Sequence, residues 1–155
     1  MNIDWSAIGS VGTAVAVLVA AWQVRKNTQQ ARTDFEDDLS REYRELARCI
    51  PVKACLGQDL GEEEFEQAFP MLYQYIDLSN EQIFLRINGR ISKATWINWV
   101  DGIKSNLDRP AFSHAWALIK EGSQGSFAEL RRLEENGFKD DPRSWIPAWK
   151  RLLHR

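Results

Sequence analysis

Twenty consecutive residues without a charged side chain, Trp5 to Val24 (WSAIGSVGTAVAVLVAAWQV), limit more than any other feature what this chain can become. A helix of that length rises about 30 Å, the thickness of a bilayer's hydrocarbon core. A secretory signal carries Lys or Arg ahead of its apolar run. Here only Asp4 precedes the run, and the first positive pair, Arg25 and Lys26, comes after it. That charge order predicts a retained transmembrane helix over 5–24, with the N-terminus outside and the rest of the chain in the cytoplasm; Trp5 and Trp22 then mark the two interfaces. A buried core helix is the competing reading, and the Gly, Ser and Thr content of the run weighs against it.

Small residues within the run are ordered. Gly9, Gly12, Ala16 and Ala20 succeed one another at spacings of three, four and four, so they line one helix face where a second backbone can approach closely. Self-association through that face is expected, although Gly and Ala are also simply common in membrane helices.

The 20 Lys and Arg all lie at or beyond Arg25, together with all but one of the 22 Asp and Glu. The part after the span is therefore close to neutral and lacks the positive field of a general DNA or RNA binder. Cys49 and Cys55 have neither the CxxC nor the four-ligand spacing of redox or zinc sites, and are expected to be ordinary thiols.

Helical periodicity dominates the remainder of the chain. From Gln23 to Ile50 there is no Gly or Pro, and Phe35, Leu39, Tyr43, Leu46 and Ile50 recur at helical spacing, so 25–50 is predicted to be an amphipathic stalk ended by Pro51. The domain 51–155 then holds a helix from about Glu62 to Ile87, opened by three Glu and stopped by Gly89. Ser92 caps the next helix and Pro110 opens a third; Ser126 with Glu129 is predicted to form the capping box of a fourth, closed by Asn136 and Gly137. No stretch alternates long enough to build a sheet, so the fold class is all-α, a helical bundle behind an N-terminal helix.

Two constellations have the residue types of chemistry. The carboxylates Asp77 and Glu81 stand one helical turn apart with Asn80 between them. No His accompanies them and no second carboxylate pair repeats the pattern, so no metal or cofactor is assigned. A buried polar network is expected instead, with Asp77, Asn80 or Glu81 paired to Arg86, Arg90 or Arg109. The second is DRPAFSH, in which Arg109 and His114 enclose four residues. This spacing resembles the active site of HEPN-type ribonucleases, and the resemblance implies metal-independent RNA cleavage, with the histidine moving a proton and the arginine steadying the phosphate. The two side chains converge only if Arg109 lies outside the helix as its cap, and Pro110 departs from the family's usual polar residue; the alternative is a capping arginine and a surface histidine.

The run from Tyr73 through Glu135, with its frame of Trp96, Trp99, Phe112, Trp116 and Phe127, resembles a broad group of small bacterial single-pass membrane proteins with a helical cytoplasmic domain. The plan is also similar to CRISPR-associated accessory membrane proteins with a HEPN-like domain. The resemblance implies a site in the bacterial inner membrane and an effector or accessory role in anti-phage defence. Three functions are open on this basis: a self-associating membrane module whose partners are lipid and further copies of itself, a membrane-tethered ribonuclease centred on Arg109 and His114 with RNA as its ligand, and a passive adaptor that binds a protein or nucleotide signal.

Overall fold

The computed structural model describes the backbone of residues 5–149 and the side chains of residues 18–149. Among the described residues every regular element is a helix and there is no strand, in agreement with the all-α expectation. The chain divides into two compact units, Met1–Asp37 and Asp38–Arg155.

Helix α1 (Trp5–Cys49) contributes to both units. In the first, several described side chains make local contacts. The Lys26 ammonium lies 5.3 Å from the Trp22 ring, the Thr28 and Thr33 hydroxyls donate to the carbonyls of Val24 and Gln29, and Arg32 pairs with Glu36. Among the described residues no helix is long and apolar enough to cross a membrane. The side chains of residues 5–17 lie outside the described set, and with them most of the expected span and Gly9, Gly12 and Ala16 of the small-residue stripe; Ala20 is described and exposed.

The expected stalk 25–50 lies on α1, which runs unbroken to Cys49, with the boundary between the units at Asp37 and Asp38. Its last turns belong to the second unit, where Leu39 and Ile50 are buried, because the apolar stripe begins in earnest only at this end. Pro51 then ends the helix. After the short helix α2 (Val52–Cys55), helix α3 (Glu62–Ile87) opens with Glu62, Glu63 and Glu64 in its first turn, where negative charge complements the helix dipole. Leu72, Ile76 and Ile83 are fully buried along it. It closes in a Schellman turn: the N–H of Arg90 reaches the carbonyl of Leu85, that of Gly89 reaches Arg86, and Gly89 takes φ +73°.

Helix α4 (Lys93–Leu107) is capped by Ser92, whose Oγ accepts from the N–H of Thr95. Helix α5 (Pro110–Gly122) starts on proline, and Phe112, Ala115, Trp116 and Ile119 form its buried stripe. Helix α3 is the centre of the unit, packing on α5, on helix α6 (Ala128–Glu135) and on a 3₁₀ turn, Pro142–Trp145. Aromatic edges fill the joints. Phe112 meets Tyr75 edge-on at 5.1 Å, and Phe127 meets both Trp116 and Tyr73 in the same manner.

The start of α6 departs from the expected Ser126–Glu129 capping box. Phe127 is the N-cap residue, at φ +59°, and makes no side-chain cap bond. The acceptor comes from elsewhere: Oδ1 of Asn80, on α3, takes the N–H of Leu130 at 3.0 Å. A phenylalanine in the left-handed region is strained by about 1–2 kcal/mol, and the burial of its ring between Trp116 and Tyr73 offsets that cost.

Candidate functional site

Arg109 is the N-cap residue of α5, outside the helix, as convergence with His114 would require. The two side chains nonetheless take different partners. The Arg109 guanidinium donates to Oδ1 of Asn106, while the exposed His114 ring stacks on Phe65 with centroids 4.3 Å apart and planes 18° from parallel. Asn106 in turn donates through Nδ2 to the Tyr75 hydroxyl at 2.7 Å. Arg109, Asn106 and Tyr75 thus form a hydrogen-bonded chain that ties α4 and the start of α5 to α3. Burial pushes the Tyr75 phenol up to about 12, against the opposing pull of Asn106. At neutral pH it stays protonated and is no base.

The expected network of Asp77, Asn80 and Glu81 is corrected by the structure. Asp77 and Glu81 are exposed, and neither pairs with Arg86, Arg90 or Arg109 among the described residues. They face an open groove shared with Glu42 and Glu45 of α1. The reason is the phase of α3, which turns the 77/81 edge toward water when Leu72, Ile76 and Ile83 turn inward. Only Asn80 is partly enclosed, and its role is the cap on α6. Among the described residues no group of three His, Cys, Asp or Glu side chains is placed to hold a metal.

The buried polar groups lie on a neighbouring face of the same helix. Tyr75, Ser79, Gln82 and Arg86, at spacings of four, three and four, are all buried. The spacing is visible in the sequence; what conceals it is that only two of the four residues are ionisable. Three of the four are satisfied. Tyr75 has Asn106, Ser79 donates to the carbonyl of Tyr75, and Arg86 makes a bidentate pair with Asp141 (Nε to Oδ1 2.8 Å, Nη2 to Oδ2 2.6 Å) plus a 2.7 Å bond to the carbonyl of Ile91. Partial burial pushes the Asp141 carboxyl up, but the Arg86 guanidinium and the N–H of Arg143 outweigh it and hold the group below its ordinary value.

Gln82 is the exception. It is 5% exposed and has no hydrogen-bond partner among the described residues. The one fully sealed side-chain N or O left unpaired there is the indole nitrogen of Trp116, so the Gln82 amide is open to the cavity it lines. That cavity, about 280 Å³, lies between the C-terminal part of α1, α3 and α4, with Tyr43, Arg44, Trp99 and Gly102 on its other walls. A cleft with aromatic walls and a few converging polar groups has the composition of a ligand site, and its volume is near the lower end of the usual ~300–1,000 Å³. The chemistry it offers is hydrogen bonding, ring stacking and one cation.

No family model, no curated protein and no solved structure matches the chain.

Proposed function

We propose that the protein is a membrane-anchored helical module that self-associates through its N-terminal helix and displays the folded second unit beside the bilayer. The observation that carries this is the state of the apolar run where it is described: Leu18, Val19, Trp22 and Val24 are 70%, 47%, 61% and 64% exposed. A charge-free run with such surface toward solvent favours an apolar environment, and its length matches a bilayer. Gly9, Gly12, Ala16 and Ala20 supply the face for close helix contact. Arg109 is held by Asn106 and His114 by Phe65, an arrangement that favours scaffold roles for both over phosphodiester cleavage.

The test is the assembled mass of the detergent-solubilised full-length protein beside the variant carrying Gly12→Leu and Ala16→Leu. A membrane-fractionating protein whose defined oligomer is lost in the double variant supports the proposal. Recovery of the unmodified chain in the aqueous fraction after lysis overturns the anchor, and a monomer in both samples overturns the assembly.

A further inference from the structure

We infer that the cavity between α1, α3 and α4 is a binding site for a mononucleotide-sized ligand: a planar nitrogen heterocycle carrying an anionic group. Nothing in this depends on the membrane anchor, because every wall belongs to the second unit.

Two features mark the cavity as built for an occupant. The first is Gln82. An amide that is 5% exposed and has no partner among the described residues has only the cavity to supply its hydrogen bonds, where a leucine of similar volume would need none. An amide offers a donor and an acceptor side by side, the pairing that a heterocycle's lactam or amidine edge completes. The second is Gly102. It lies inside α4, where glycine is disfavoured relative to alanine, and its φ is not in the left-handed region. A Cβ there would meet nothing within 4 Å, so neither backbone geometry nor packing demands glycine. What it provides is room at the cavity wall.

The remaining walls define the chemistry. Tyr43 and Trp99 present aromatic surface on which a flat ring stacks, and Tyr43 is itself held against Tyr75 at 5.9 Å. Arg44, exposed at the rim, has no ion-pair or hydrogen-bond partner among the described residues and is placed to meet an anion. Asn98 adds a second amide at the mouth. With a volume of about 280 Å³ the cavity suits a base with its sugar, the charged group projecting to the rim.

The experiment is titration of the full-length protein in mild detergent with AMP, GMP, CMP and UMP, with the parent nucleosides, and with inorganic phosphate, read by ligand-observed NMR and calorimetry. The expected result is saturable binding of at least one monophosphate at Kd below about 1 mM. Gly102→Leu, which fills the cavity, and Gln82→Leu, which removes the amide, should each weaken that binding by about tenfold or more with helical content retained. Arg44→Gln should weaken the monophosphate and leave the nucleoside unchanged. The proposal is overturned if no monophosphate or nucleoside binds in that range. It is equally overturned if Gln82→Leu and Gly102→Leu both leave binding intact, or if inorganic phosphate alone displaces the nucleotide and the nucleoside does not bind.

Discussion

Replacing Asp141 by alanine strands Arg86. The substitution removes both carboxylate bonds to the guanidinium and the 3.0 Å bond by which Asp141 caps the 3₁₀ turn through the N–H of Arg143. The Arg86 side chain is only 8% exposed and keeps just its bond to the carbonyl of Ile91, whereas Asp141 is 32% exposed. Breaking a buried pair from one side costs about 3–5 kcal/mol and an exposed pair less than about 1. Water reaches the Asp141 side, so the expected loss, with about 1 kcal/mol for the cap included, is about 2–3 kcal/mol. With a urea slope of about 1–3 kcal/mol per molar, the midpoint of unfolding should fall by about 1 M or more. Adding Arg86→Met to Asp141→Ala should recover part of the loss, because the uncompensated buried charge goes with it.

The same pair has a pH signature. The Asp141 pKa in the folded protein is depressed below the value of about 3.9 expected in the unfolded chain, so its stabilisation is complete above that value and is lost as pH falls through the folded one. The stability gap between the unmodified protein and Asp141→Asn should therefore be constant near neutrality and close below about pH 4. An Asp141→Ala variant within about 0.5 kcal/mol of the parent, or a gap as wide well below pH 3 as at pH 7, would refute the reasoning.

Two further perturbations probe the turns around α3. Asn80→Ala should cost about 0.5–2 kcal/mol and speed amide exchange at Leu130, while Asn80→Asp, whose carboxylate still accepts that N–H and faces the dipole of α6, should cost less; equal losses would refute the cap. At Gly89, alanine would need a left-handed backbone and would set its Cβ 2.3–2.6 Å from the Arg143 guanidinium, displacing it from the carbonyl of Ile87. A loss of about 1–3 kcal/mol in chemical unfolding is expected, and Gly89→Asn, though tolerant of that backbone, should not restore stability because the contact with Arg143 remains.

Helix boundaries are legible in the sequence because local chemistry writes them. Glu62–Glu64, Ser92, Pro110 and Gly89 act within one turn of themselves, and each starts or stops a helix where expected. Partner choice across the fold is not legible in the same way. Arg86 finds Asp141 fifty-five positions away, and Asn80 rather than Ser126 serves α6, because both partners are brought together only by the packing of distant segments, in which Phe127 and Leu130 are buried. Asp77 and Glu81 stand out as ionisable groups, yet the phase of α3 sends them to water and puts the less conspicuous Gln82 inside. The Arg109–His114 spacing is real, but spacing does not specify direction, and the side chains take separate partners.

The cap that Asn80 lends to Leu130 bears on how the chain is assembled as it is synthesised. Helix α6 has eight residues, too few to hold together alone in water, and its first-turn acceptor arrives from a segment made fifty residues earlier. Until the segment from Leu130 to Asp141 emerges, Asn80 lacks the N–H it caps and Arg86 has only the carbonyl of Ile91 and water. That later segment then closes both, like a strap drawn across helices already made, so α3 completes its polar contacts only once α6 and the 3₁₀ turn have been synthesised.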